Sequence, residues 1–161
     1  MPSPIVVRRA ASDEGEEIGL LTLAAYRGDR VVDAEYAKEL GDGTVRVRDA
    51  HVLVAFACLR MVGSVTLAES GTPFAEIALP GEIEVRMLGV DPAARRLGIA
   101  DRLMDAAEQR ARDRSLDGVV LSTAPHMTAA HALYDRRGYL PHPHRDWHID
   151  DLHLLAYRLT L

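Results

Sequence analysis

The run Val90-Asp-Pro-Ala-Ala-Arg95-Arg96-Leu97-Gly98-Ile99-Ala100 has the make-up of an anion-binding turn. It joins a strand-like stretch to a helix-like one. A helix N-terminus offers unpaired backbone N–H groups at the positive end of its dipole, which together suit phosphate. Gly98 brings the backbone close to an anion with no Cβ in the way, and Ala100 is nearly as small. Arg95, Arg96 and Arg102 add positive charge. A plain strand-to-helix turn with surface arginines has the same letters, so composition leaves both readings open. Just upstream, Glu82, Glu84 and Arg86 alternate along a strand and share one face. A carboxylate there could take the proton that an amine must lose before it attacks. Arg86 beside it would keep that carboxylate ionised and make it a poorer base, and solvent could take the proton instead.

Two segments carry a resemblance. Glu82–Ala100 resembles the acetyl-CoA-binding motif of the GNAT superfamily of N-acetyltransferases, whose Arg/Gln-x-x-Gly-x-Gly/Ala signature is matched by Arg95, Gly98 and Ala100. Ala130-His-Ala-Leu133-Tyr134-Asp-Arg-Arg-Gly138-Tyr139 resembles the family's Ala-x-x-Leu-Tyr-x-x-x-Gly-Phe/Tyr segment. The two stand in the family's order and separation, and the likeness extends over essentially the whole chain.

The resemblance implies an α/β fold: a single-domain mixed sheet, mostly antiparallel, flanked by helices, with a splayed central cleft for coenzyme A. The strand at 82–90 would carry a bulge and part from the strand at 119–123. Acetyl-CoA would be the cosubstrate, its pantetheine arm pairing with backbone around Leu88, Gly89 and Val90. Its pyrophosphate would lie on Arg95, Arg96, Leu97, Gly98, Ile99, Ala100 and Asp101. Tyr134 would protonate the leaving thiolate, and Glu84 matches the family's base position, with Glu82 two residues before it. Tyr26, Tyr36 and Trp147 are candidates for the acceptor side. One departure stands out: many relatives have asparagine seven residues before the tyrosine, where this chain has Met127, with His126 and Thr128 as neighbours that could replace it.

The expected function is acetyl transfer to a primary amine by direct attack in a ternary complex, with a small-molecule acceptor. A protein N-terminus or lysine acceptor, a non-catalytic CoA-binding regulatory module and a nucleotide-binding module are the alternatives.

These residues need elements to hold them. Ile5–Val7 reads as a strand. Asp13-Glu-Gly-Glu16 reads as a capping box opening a helix with Ile18, Leu21 and Ala25 on one face. Asp33 caps a second helix through Leu40, ended by Gly41. His51–Ala57 and Val62–Ala68 read as a hairpin, and 69–81 as a loop. A strand at 82–90, a helix at 100–114 and a strand at 119–123 form a βαβ unit. Thr128 would cap a helix closed by Gly138, and 152–161 would be the last strand.

The 161 residues suit one domain, 48% apolar and 27% charged, a soluble globular balance. No apolar run reaches 18 residues, and the N-terminus lacks a secretory-signal layout, so the expectation is cytoplasmic with no membrane partner. A single cysteine, Cys58, allows no internal disulfide. The late histidines, 126, 131, 142, 144, 148 and 153, are read as loop and pocket-wall residues, with no metal assigned. Acids 101, 105, 108 and 113 interleave with the arginines of the 102–114 helix, which reads as a solvated face, and with the net negative charge the expectation is no nucleic-acid partner. An exposed sheet edge leaves a homodimer open. The net charge of −5 divides into −6 over residues 1–85 and +1 over residues 86–161, so the acceptor side is expected to be the more negative.

Overall fold

A computed structural model describes residues 4–28 and 32–161. Part of the N-terminal reading (residues 1–3) and part of the 26–36 loop reading (residues 29–31) lie outside the described residues. The chain divides into two compact units, Met1–Leu67 with Met87–Ala107, and Ala68–Arg86 with Glu108–Leu161.

The first unit is built on an antiparallel meander of β1 (Ile5–Arg9), β2 (His51–Ala57) and β3 (Arg60–Glu69). The β2–β3 turn is tight because Cys58 takes a left-handed backbone, and a bulge between Ala55 and Phe56 shifts the register. Helix α1 (Gly15–Arg27) buries Ile18, Leu21 and Ala25, and the first two pack with Val52, Val54 and Met61. Its start corrects the expected capping box. The N-cap is Glu14, which makes no side-chain cap; the Arg8 guanidinium and the Ala11 N–H donate to its carboxylate instead. Helix α2 (Ala34–Gly41) does carry its expected cap, the Tyr36 N–H donating to Asp33 Oδ1 at 2.9 Å.

A further helix, α3 (Gly43–Asp49), follows at once, capped by Asp42. Alternating valines in Gly43-Thr-Val-Arg-Val-Arg-Asp hide it, because β-branched residues at period two imitate a strand. Backbones meet where α1 crosses the α2–α3 junction. A Cβ on Gly15 would stand 2.5 Å from Thr44 Cα, one on Gly19 would overlap the Gly41 carbonyl oxygen, and one on Gly43 the Gly15 oxygen. Arg46, fully buried, ties the three helices by donating to the Glu39 carbonyl (2.7 Å) and to Thr22 Oγ1 (3.2 Å).

In the second unit the first half of β4 (Glu82–Val90) pairs in parallel with β5 (Gly118–Thr123), from Glu82↔Gly118 to Val85↔Leu121. The connection runs through α4 (Ile99–Asp113), as parallel neighbours require a crossover. β5 pairs antiparallel with β8 (Leu152–Thr160), and two short strands, β6 (Leu140–Pro141) and β7 (Trp147–Ile149), also pair with β8. Neither short strand was in the sequence reading, since two or three residues are too few to show a period. Helix α5 (Thr128–Arg136) is a second capping correction: its N-cap is Met127, with no side-chain bond, so Thr128 caps nothing. Gly138, at φ +89°, closes it where expected, and the Tyr139 N–H donates to the Tyr134 carbonyl at 3.0 Å.

Register and alternation then sort the side chains of β4, β5 and β8. Glu82, Glu84, Val120, Ser122 and Arg158 point to one face; Val85, Leu121 and Tyr157 point to the other.

Candidate active site

The turn read from the sequence as anion-binding lies wholly in the first unit. After β4, Asp91 anchors a single 3-10 turn (Pro92–Ala94): the Ala93 N–H donates to its Oδ1 at 2.9 Å, and its other oxygen pairs with Arg60. Arg96 and Gly98 then take left-handed backbones, φ +66° and +75°, so successive peptide dipoles turn inward as in an anion nest. The first intrahelical bond of α4 is given by the Arg102 N–H to the Gly98 carbonyl, so Ile99, Ala100 and Asp101 make up the first turn of the helix. A Cβ on Gly98 would meet nothing within 4 Å, so the space over the nest is open. The arginines divide by use. Arg95 donates to the Ala25 carbonyl (3.0 Å) and Arg102 to the Ile5 carbonyl (2.9 Å), while Arg96 is exposed on the nest itself.

Met87 is the residue that makes β4 irregular. It is 4% exposed and left-handed at φ +52°, an arrangement that costs a non-glycine residue about 1 kcal/mol or more. The parallel register with β5 runs no further than Val85. Leu88, Gly89 and Val90 follow Met87. Gly89 is there for closeness, since an added Cβ would stand 3.1 Å from Ala25 Cβ in α1.

Tyr134 belongs to the second unit. It is buried on α5 between Tyr139 (ring centroids 5.7 Å) and Tyr157 (6.3 Å). Burial pushes its phenol well above the usual tyrosine range, and no hydrogen bond contributes to that shift. Tyr139 is itself pinned: its hydroxyl donates to Glu108 Oε2 (3.0 Å), and Arg137 grips the same carboxylate with two N–H groups (3.0 and 2.9 Å). The sequence reading saw Tyr139 only as a motif position; Glu108 sat among surface acids, yet it is 7% exposed.

The two β4 carboxylates differ. Glu82 is bridged by Arg145 (2.7 and 3.0 Å) and Arg158 (2.7 Å) and receives the Leu79 N–H. Burial works to raise its pKa, but these donors outweigh it and bring it down to about 2, so Glu82 is a fixed anion and a poor base. Glu84 is 1% exposed. Its Oε1 accepts the N–H groups of Glu76 (2.8 Å), Ile77 (2.8 Å) and Ala78 (3.0 Å). Here burial prevails over the hydrogen bonds and the carboxyl is raised above its ordinary value. Arg86, expected to face a carboxylate of β4, donates to the Phe74 carbonyl and lies 3.7 Å from Glu76.

Tyr26 and Tyr36 do meet, edge to face at 6.1 Å between α1 and α2. Trp147 is half-buried, and its Nε1–H donates to Ser122 Oγ at 2.9 Å, on the Glu84 face of the second unit. No signal in the sequence pointed to Arg145 or Arg158, because their partner Glu82 lies more than sixty residues away. Met127, in the place of the asparagine, is the N-cap of α5 and makes no side-chain cap bond; the His131 ring and the Ala124 carbonyl meet at 3.0 Å. Among the described residues no helix is long and apolar enough to cross a membrane.

Comparison with solved structures gives many neighbours of this fold. The PaiA N-acetyltransferase of Thermoplasma acidophilum, solved in complex with coenzyme A, superposes at TM-score 0.75 with 13% identity, over 97% of this chain and 99% of that one. A GNAT-family acetyltransferase of Brucella melitensis with acetyl-CoA gives 0.69 with 18% identity over 99% and 89%. YncA of Salmonella typhimurium, a putative acetyltransferase with acetyl-CoA, gives 0.71 with 18% identity over 99% and 95%. No curated protein matches the chain. The family model of the acetyltransferase (GNAT) family matches residues 20–139, which takes in the nest, Glu84, Tyr134 and Tyr139, and this chain therefore belongs to that family.

Proposed function

We propose that the protein moves an acetyl group from acetyl-CoA to the primary amine of a small molecule, by direct attack within a ternary complex. The observation that carries this reading is Tyr134: it stands at the family's tyrosine position, buried, with its proton held tightly and no hydrogen bond contributing to the shift. Such a phenol stays protonated at neutral pH and so holds a proton for the departing thiolate, although burial makes it a weaker acid than an ordinary tyrosine.

The open turn at Arg96–Asp101 suits a pyrophosphate, and the stretch Leu88–Val90 after the left-handed Met87 suits an extended pantetheine arm. In the reaction the amine nitrogen bonds to the thioester carbon and the carbon–sulfur bond breaks. The nitrogen's proton goes to Glu84, and the sulfur receives the Tyr134 proton. Alternation gives this division a geometric basis, since Glu84 lies on one face of the β4–β5–β8 strands and Tyr157, on which Tyr134 packs, on the other. Proton removal and proton delivery are thereby kept apart. Tyr26, Tyr36 and Trp147 would contact the acceptor.

The test is thiol release from acetyl-CoA across a panel of primary amines. Tyr134→Phe should lower kcat about 100-fold while leaving the acetyl-CoA affinity nearly unchanged. Unchanged turnover by the variant would remove the acid role. Tight acetyl-CoA binding without amine-dependent release would favour a regulatory CoA-binding module.

A further inference from the structure

We propose that Tyr139 is a positioning residue for Tyr134: its hydroxyl, tied to Glu108 and through it to Arg137, fixes the angle of the ring against which the Tyr134 ring lies. The inference rests on the reading of Tyr134 as the acid that meets the departing thiolate. All of these residues belong to the second unit.

The two tyrosines are joined by the way α5 ends. Gly138 takes the left-handed backbone, its N–H donates to the Asp135 carbonyl (3.1 Å), and the Tyr139 N–H reaches back to the Tyr134 carbonyl (3.0 Å). This pair of bonds is a Schellman closure, which sets the residue after the glycine beside the one five positions earlier. The rings accordingly touch, with centroids 5.7 Å apart and planes at 58° to each other. At the other end of this nine-residue helix the N-cap, Met127, makes no side-chain bond. Tyr134 thus takes its aromatic neighbours from the C-terminal side, where Tyr139 stands, and from β8, which supplies Tyr157.

Tyr139 in turn is not free to choose its angle. It is 1% exposed, its hydroxyl donates to Glu108 Oε2 at 3.0 Å, and Arg137 grips both oxygens of that carboxylate. Turning the ring would strip a buried phenol of its acceptor, a loss that burial makes costly. A buried ion pair adds little net stability over an apolar contact of the same size. Here it adds direction. Either aromatic residue of the Gly-Phe/Tyr motif would supply a ring at 139; only tyrosine supplies the hydroxyl that reaches Glu108 on α4. Direction matters for an acid, because misplacing a reacting group by about 1 Å can cost on the order of 100-fold in rate.

Two measurements test this on Tyr134→Phe, Tyr139→Phe and the double variant. One is kcat for thiol release from acetyl-CoA with 1,5-diaminopentane as the probe amine. The other needs no amine: the pH titration of the thiol of bound coenzyme A, followed by thiolate absorbance in difference from the protein alone. A donor hydrogen-bonded to the sulfur favours the thiolate, so removing or misaiming it raises the pH at which the thiol ionises. Tyr139→Phe should lower kcat about 10-fold and raise that pH by about 0.5, against about 1 for Tyr134→Phe. The acetyl-CoA KM and the thermal midpoint should change little. In the Tyr134→Phe background the same substitution should change kcat less than about twofold and leave the titration where it is. Glu108→Gln keeps an acceptor for the hydroxyl and should lie between wild type and Tyr139→Phe in both readouts. A Tyr139→Phe protein that matches wild type, where Tyr134→Phe moves both readouts, overturns the positioning role and leaves the acid standing. So does a kcat loss that persists in full in the Tyr134→Phe background, since such damage is unconnected with the acid. If Tyr134→Phe moves neither readout, the acid reading falls and this one with it. Where 1,5-diaminopentane is not acetylated, the titration alone decides.

Discussion

Two stretches of this protein differ in what their backbone N–H groups meet. At Ile99–Asp101 the N–H groups belong to the first turn of α4, and the space above Gly98 is open. At Glu76–Leu79 four N–H groups are already answered by the chain's own carboxylates. In the function proposed above, the same resource is offered to a ligand in one place, and it is spent on internal order in the other. The open nest is made by local backbone shape, whereas the filled one depends on side chains brought from β4 and from beyond β6. Losing a side chain should therefore damage the second far more than the first.

The largest expected effect is Glu84→Ala. Three part-buried N–H groups would lose their acceptor, and urea unfolding should show a loss of about 3 kcal/mol, with coenzyme A affinity changed less than about twofold. Glu84→Gln keeps a carbonyl oxygen for the same N–H groups and should cost much less stability while still removing the base. A Glu84→Ala protein as stable as wild type would end the contrast.

Acid comes next. The folded-state pKa of Glu82 is about 2 against an ordinary 4.5. A depressed carboxylate contributes its stabilisation fully above the unfolded value and loses it as pH falls through the folded one. Stability should hold above pH 4.5 and then fall by on the order of 2 kcal/mol towards pH 2. Unfolding curves taken across that window should flatten in Arg145→Gln, whose Glu82 has lost one of its donors.

The smallest effect belongs to the open nest. Gly98→Ala has room for its methyl, so the cost is the left-handed backbone, about 1 kcal/mol of stability. The methyl would nonetheless stand where an anion approaches. Calorimetry should show coenzyme A binding weakened about 10-fold, with the 76–79 amides exchanging as in wild type.

This contrast also explains what could be read from the amino-acid sequence. The nest, the helices that carry Ile18 and Leu103, and the α5 stop at Gly138 depend on neighbours within a few residues, and their patterns are written locally. Asp33 signalled its cap in the same way. Thr128 and Asp13 looked just as good as caps and failed, because α5 starts after Met127 and α1 after Glu14, whose carboxylate Arg8 takes. The clamp on 74–79 left no trace, since Glu82 and Arg145 have no spacing in common that chemistry would single out. Glu82 and Glu84, two residues apart on one face, looked equivalent; burial and partners make one a fixed anion and the other a carboxyl raised above its ordinary value.

The crossing of α1 over α2 and α3 carries a last implication, for how this protein can change. Where Gly15, Gly19 and Gly43 meet the opposing backbone, no side chain stands between the helices, and no residue is smaller than glycine. Natural variation cannot loosen that joint, only jam it, and thermal motion finds no rotamer there to flip. Tyr26 and Tyr36, carried on α1 and α2, are accordingly held at a set spacing, like the jaws of a locked calliper. In the function proposed above, new acceptor preferences in descendants of this chain should arise by exchanging what the jaws are made of, and not by moving them.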